Sequence, residues 1–145
     1  MLSEQLTRIF QDYLTAFKRY DLDAVFKCYH LPCTLQTPDK VLQINHSQEF
    51  EHAFNDIFEQ LRQAKTKDVF ATCASYLSLN DNIALVCIDW AFIDQKDEVF
   101  ADFCAIYHVV VMDDGVKIIN VVSHDLSNSI KLTHSLDITE RLRVE

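Results

Sequence analysis

The spacing of apolar residues changes once along the chain, near residue 66, and this change constrains the fold more than any other feature of the sequence. Before it, apolar side chains recur every three or four residues, which indicates amphipathic helices. After it, they alternate with a period near two in long segments rich in β-branched and aromatic residues, which indicates strands. Helices first and strands later predict an α+β fold, with the helices covering one face of an antiparallel sheet.

The first half of the chain is predicted to form three helices, at residues 3–20, from Asp21 to Pro32, and at 47–65. Asp21 is a suitable N-cap for the second helix, and Pro32 is expected to end it. Asn45 or Ser47 is expected to cap the third helix. Between the second and third helices, residues 33–44 form two extended segments with a turn at Pro38.

The second half is predicted to form four long strands, at Val69–Leu79, Ile83–Ile93, Val99–Met112 and Val116–Asp125. An Asp-Gly pair at residues 114–115 separates the last two strands and is a strong signal for a hairpin. The four strands therefore form an antiparallel meander. Residues 1–125 are assigned to one domain, and residues 126–145 to a more polar tail in which 138–144 form either a short helix or a loose end.

Composition excludes several classes of function. The chain has a single glycine, whereas a Walker A loop needs two and a dinucleotide fingerprint needs three. The formal charge of −9 argues against nucleic acids and anionic membranes as partners. Neither a signal peptide nor a run of roughly 18 apolar residues is present, so a cytoplasmic protein without membrane spans is expected. No cofactor is predicted.

The five cysteines, an odd number without a C-x-x-C pair, are expected to be reduced and metal-free. Three of them, Cys73, Cys87 and Cys104, lie in apolar strands, where a free thiol behaves as a small hydrophobic group. A zinc site built from Cys28, His30 and Cys33 lacks an evident fourth ligand. The sequence therefore predicts no metal.

The predicted strands are apolar on both faces. Trp90 and Tyr107 lie on the more uniformly apolar face, which we expect to point inward. The opposite, outer face carries apolar residues that are not expected to sit in water, namely Ile83, Leu85, Cys87, Ile93, Ile106 and Val110. A second copy of the chain is the simplest cover for this face, so a homodimer is predicted.

Residues 9–38 resemble the superfamily of nuclear transport factor 2 and ketosteroid isomerase, which also contains polyketide cyclases and small dehydratases. Tyr13, then Asp21-Leu22-Asp23, then Thr37-Pro38 resemble the isomerases' tyrosine, Asp-Leu-Asp and Asp-Pro elements. The resemblance extends in element order over residues 5–125. It implies a cystatin-like cone, in which a curved, mostly antiparallel sheet of four to six strands wraps around three N-terminal helices. It also implies an apolar pocket and dimers formed through the outer sheet face.

The resemblance fails at the residue on which isomerase chemistry depends. That reaction needs a carboxylate base and two hydrogen-bond donors for the enolate oxygen. Tyr13 matches one donor, and Tyr107 lies near the position of the other. Thr37 occupies the position of the base, and a threonine hydroxyl cannot remove a carbon-bound proton. Steroid isomerase activity is therefore expected to be absent, and no catalytic residue is assigned.

Two functional hypotheses remain open. In the first, the chain binds a small apolar molecule in a cavity lined by Tyr13, Phe17, Trp90 and Tyr107, with His124 near the mouth and an unspecified proton transfer as an added activity. In the second, the same aromatic residues only pack the core, and the domain is a non-catalytic, dimeric module for protein interaction. The contents of the cone distinguish the two hypotheses.

Overall fold

Three α-helices, seven strands and one short 3-10 helix (Leu126–Asn128) make up the part of the chain that the computed structural model describes, residues 2–138. The helices are α1 (Leu2–Arg19), α2 (Leu22–Phe26) and α3 (Ser47–Gln63). The strands are β1 (Tyr29–Gln36), β2 (Val41–Ile44), β3 (Asp68–Asn80), β4 (Ile83–Ile93), β5 (Val99–Met112), β6 (Gly115–His124) and β7 (His134–Ser135). None of the described helices is long and apolar enough to cross a membrane.

The strands form one curved, unclosed sheet in the order β2-β1-β6-β5-β4-β3-β7. All neighbours are antiparallel except β1 and β6, which are parallel. The predicted α+β class and the four-strand meander are confirmed. The sheet has one strand more than the predicted maximum of six because the short β7 pairs with β3 at residues 75 and 76.

The second helix ends earlier than predicted. Asp21 caps it as expected, since its side chain accepts a hydrogen bond from the backbone N–H of Ala24 at 3.1 Å. The helix stops at Phe26, and Pro32 lies inside β1 rather than at a helix end. Parallel pairing of β1 with β6, together with burial of Tyr29, decides the conformation here, and neither is visible in the local pattern.

The third helix has a different cap from the two that were predicted. Its N-cap is His46, between Asn45 and Ser47. The Glu49 carboxylate accepts hydrogen bonds from the backbone N–H groups of Asn45 at 2.8 Å and His46 at 3.1 Å. These bonds hold the pKa of Glu49 below its ordinary value. The acidic residue of the first turn therefore reaches back over the helix start, as in a capping box.

The core lies between the helices and the inner face of the sheet. Its largest fully buried side chains come from α1, α3 and the central strands of the sheet. They include Leu6, Phe10, Leu14, Phe50, Phe54, Phe58, Val86, Ile88, Tyr107 and Ile118. Each such side chain contributes about 1.5–3 kcal/mol by leaving water. Trp90 and Tyr107 belong to this core, so the predicted inward face of β4 and β5 is confirmed.

After β6 the chain crosses the outer face of the sheet; we call residues 126–138 the strap. The Ser129 hydroxyl donates to Asp89 of β4 at 2.7 Å, and the backbone N–H of Leu132 donates to Ser75 of β3 at 2.9 Å. The strap then pairs with the edge of β3 as β7, and Leu136 and Ile138 are buried in the core. The predicted short helix or loose end at 138–144 falls, beyond its first residue, outside the described residues.

Candidate functional site

The structure brings together four of the five residues predicted to bind a ligand. A cavity of about 30 Å³ lies between the first helix and the inner face of the sheet. Its lining is almost entirely apolar and consists of Tyr13, Leu14, Phe17, Val69, Trp90, Phe92, Phe103 and Tyr107. A space of this size holds about one water molecule. The predicted residues therefore converge, but their side chains fill most of the space between them.

A chain of polar groups runs through this aromatic cluster. The indole N–H of Trp90 donates to the Tyr107 hydroxyl at 2.8 Å. The hydroxyls of Tyr13 and Tyr29 are 3.0 Å apart and share a hydrogen bond. Because an indole nitrogen can only donate, the Tyr107 hydroxyl keeps its own proton for another acceptor. The cluster thus satisfies its buried polar groups largely among its own members.

Tyr29 is the member of this cluster that the sequence analysis missed. The predicted helix placed it on a helix face, whereas it begins β1 and its ring packs against Phe50 and Phe54 at centroid distances of 5.2 and 5.5 Å. The signal available in the sequence was the nearby Pro32, which is incompatible with a helix interior and compatible with a bulged strand. The predicted helix also had Tyr29 on its apolar face, so the error concerns the type of element and not the burial of this residue.

All three buried tyrosines are held in their neutral form. Burial raises the pKa of Tyr13 well above its ordinary value, and the neighbouring Tyr29 raises it further. Burial likewise raises the pKa of Tyr29 and of Tyr107. At neutral pH these hydroxyls are therefore hydrogen-bond donors and not bases. The cluster can orient an oxygen atom but cannot remove a proton from carbon.

Among residues 2–138, none that lines the cavity carries a carboxylate or an imidazole. Thr37, which stands where the isomerases have their base, lies in the turn between β1 and β2. Its hydroxyl accepts hydrogen bonds from the backbone N–H groups of Asp39 and Lys40, both at 3.3 Å. Thr37 is therefore a turn residue, and the described part of the chain supplies no substitute base at the aromatic cluster.

His124 does not join the other four predicted residues. It ends β6 directly opposite Cys104 of β5, on the outer face of the sheet. Its Nε2 atom is buried and has no hydrogen-bond partner within residues 2–138. Strand parity explains the separation, since Ser123 and not His124 faces inward at this end of β6.

A larger groove of about 500 Å³ lies elsewhere, between α1, α2 and the turn from β5 to β6. Exposed charges of both signs line it, namely Arg8, Asp12, Arg19, Asp21, Lys27 and Asp114. The Asp21 carboxylate is already used as a helix cap. Because this open groove concentrates neither one charge nor apolar surface, it defines no class of ligand.

The curved sheet and the three helices on its inner face define a cone-shaped domain of the NTF2-like class. A family model described as "NTF2-like protein (DUF6841)" matches residues 3–126. The chain belongs to this family, and the predicted relationship is confirmed.

Solved structures of this class have the same fold at low sequence identity. An NTF-2 like protein of unknown function from Shewanella oneidensis MR-1 is 18% identical, with a TM-score of 0.70 over 86% of this chain and 100% of that one. An NTF2-like protein with a cystatin-like fold from Novosphingobium aromaticivorans is 8% identical, with a TM-score of 0.72 over 87% of this chain and 82% of that one.

A ketosteroid isomerase-like protein from Erwinia carotovora atroseptica is 16% identical, with a TM-score of 0.65 over 85% of this chain and 95% of that one. The sequence matches none of the curated proteins compared with it. At these identities the similarity establishes the fold alone.

Proposed function

We propose that this domain is a non-catalytic interaction module that assembles as a homodimer through the outer face of its sheet. The observation that carries the proposal is the filled cone: a cavity of about 30 Å³ leaves no room for an organic ligand beside the tyrosine cluster. Since the described residues place no base at that cavity, they offer no means of starting chemistry of the isomerase type. The surface available for binding is then the outside of the sheet.

The outer face has the character of an interface. Five of its apolar side chains are only half-buried in the single chain. They are Ile83, Leu85, Ile93, Ile106 and Val110. Several large apolar side chains on one solvent-facing sheet surface are typical of an interaction site. A second copy offers the same apolar surface in return, and an interface of this type buries well over about 1,000 Å² in total.

A charge placed at the centre of this face tests the dimer. We expect light scattering at micromolar concentration to give a dimer mass for the native protein and a monomer mass for Leu85→Lys, because an unpaired buried ammonium costs several kcal/mol. Gln60→Lys is the control, since Gln60 is exposed on α3, which packs against the inner and not the outer face of the sheet. A monomer mass for the native protein would contradict the proposal.

Binding of a small apolar molecule is the second candidate function, and the convergence of the four predicted residues favours it. Phe17 and Phe103 are only partly buried at the cavity. Their movement would enlarge the space beside the two phenols, which could then orient a carbonyl group. In that case the tyrosine cluster is a binding site that opens only when a ligand enters.

Tryptophan fluorescence separates the two functions, since Trp90 is the only tryptophan and lines the cavity. For the filled cone we expect a flat apolar ketone to leave the fluorescence of the native protein unchanged. The same ketone should change the fluorescence of Phe103→Ala, whose truncated side chain enlarges the cavity. A saturable change in the native protein would put the ligand-binding function first.

A further inference from the structure

Three metal-ligating side chains meet on the outer face of the sheet, against the strap. The sulfur atoms of Cys87 and Cys104 are 3.4 Å apart. One ligand atom from each of Cys87, Asp89 and Cys104 lies within 4.8 Å of the other two. The register produces this cluster, because Asp89 of β4 pairs with Cys104 of β5 and Cys87 lies two residues further along the same face of β4.

The separations suit a tetrahedral metal ion. Zinc binds sulfur at about 2.3 Å and carboxylate oxygen at about 2.0–2.2 Å, so neighbouring ligand atoms in a tetrahedral site are about 3.5–3.8 Å apart. With the present ligand atoms within 4.8 Å of one another, the cluster needs adjustments of at most about 1.3 Å to reach this geometry. Two thiolates with a carboxylate favour zinc, because soft copper(I) prefers sulfur alone and magnesium and calcium prefer oxygen.

The strap holds the carboxylate of this cluster in place. The Ser129 hydroxyl donates to one oxygen of Asp89 at 2.7 Å. This is the one hydrogen bond that the described residues give the Asp89 side chain, and it leaves the second oxygen available to a metal. Hydrogen bonds of this kind orient metal-binding carboxylates, and their loss commonly costs 10–100-fold in metal affinity.

His124 lies next to this cluster but outside the group of three whose ligand atoms are within 4.8 Å of one another, so it supplies a fourth ligand only after its side chain rotates. It pairs with Cys104 across β5 and β6, so its side chain occupies the next position in the same row of the outer face. Its Nε2 atom is buried without a partner among the described residues. A buried imidazole nitrogen that lacks a hydrogen bond is costly, and ligation would remove that cost.

We propose that Cys87, Asp89, Cys104 and His124 bind one zinc ion between the outer face of the sheet and the strap. This replaces the metal-free state expected from the sequence, where no local cysteine pair signals a site. The partners here come from three adjacent strands, and only the register brings them together.

Metal content and cobalt substitution test the site in the full chain. We expect about one zinc per chain after purification without chelators, following the single three-residue cluster of the described chain. Cobalt(II) should then give the visible absorption of a tetrahedral site together with a thiolate charge-transfer band. Cys104→Ser should abolish that band, and Asp89→Asn should weaken zinc at least about 10-fold.

Cys33→Ser is the matched control, because Cys33 is equally buried but lies in β1, outside the cluster. It should keep the metal content and the cobalt spectrum of the native protein. The circular dichroism spectrum of Cys104→Ser must match that of the native protein, which shows that the loss of metal is not caused by loss of the fold. If the spectra differ, the zinc affinity of Asp89→Asn alone tests the site.

Several results would overturn the assignment. They are native protein without zinc that shows no cobalt spectrum when titrated, equal metal loss in Cys33→Ser, and a Cys87–Cys104 disulfide in freshly purified protein. Unchanged zinc affinity in His124→Ala would overturn the role of His124 as the fourth ligand.

Discussion

Raising the pH above about 10 is expected to unfold the protein in one cooperative step, in which Tyr13, Tyr29 and Tyr107 lose their protons only as the fold is lost. Burial raises the pKa of all three phenols well above the ordinary 10.0. In the unfolded chain they ionise near pH 10, whereas in the folded chain they stay protonated. The unfolded state therefore binds fewer protons above that pH, and the free energy of unfolding falls as the pH rises.

The size of the effect follows from the number of groups. Each buried group that ionises only on unfolding lowers the free energy of unfolding by about 1.4 kcal/mol per pH unit. Three tyrosines together give about 4 kcal/mol per unit, against a total stability of about 5–15 kcal/mol for a domain. Cys28 and Cys33 act in the same direction from pH 9.0 upward, since burial raises their pKa values to about 12 and 11. Unfolding should thus be complete within a few pH units.

Tyrosinate absorbance and far-ultraviolet circular dichroism, recorded on the same pH titration, check this expectation. The absorbance of the three buried tyrosines should rise together with the loss of helical signal. Tyr13→Phe is the matched variant. It should release about one proton fewer on unfolding at high pH, so its free energy of unfolding should fall less steeply with pH. Full ionisation of every tyrosine while the native dichroism persists would contradict the neutral tyrosine cluster.

Truncating the two apolar residues at the end of the strap should strongly destabilise the protein. Leu136 is 8% exposed and Ile138 is 2% exposed, and both pack in the core far from their neighbours in sequence. Leu136→Ala and Ile138→Ala should each lower the free energy of unfolding by about 2–5 kcal/mol, because each leaves a cavity in the core. Urea denaturation followed by Trp90 fluorescence measures the change.

Ile130→Ala provides the control on the same segment, since Ile130 is 50% exposed. We expect its effect to stay within about 0.5 kcal/mol. If Leu136→Ala and Ile138→Ala behaved like Ile130→Ala, the strap would be dispensable for the core.

The strands could be predicted from the sequence because their signal is local. Alternation with period two over ten or more residues predicted the ends of β4 and β5 at the observed residues, and the Asp114-Gly115 pair predicted the hairpin after β5. The end of α2 could not be predicted in this way. There, pairing with β6, about ninety residues away, overrides the helical pattern.

The aromatic cluster was predicted because helix spacing and strand parity fix which side chains face inward. Tyr29 was not included because its segment was predicted to be helical, whereas it belongs to β1. The cysteine cluster could not be predicted because contacts between strands depend on their register. The strap could not be predicted because it has no periodic sequence pattern of its own. Its β7 has only two residues, too few for alternation to be recognised.

The position of β7 also affects which edges of the sheet remain open to other chains. A long edge strand such as β3, with 13 residues, presents unpaired backbone groups on which a foreign strand can grow. β7 pairs with residues 75 and 76, near the middle of β3, and a bulge between Ala71 and Cys73 interrupts the strand again. The opposite edge, β2, has only four residues. Neither edge offers a long uninterrupted template, so the fold is guarded against edge-to-edge aggregation.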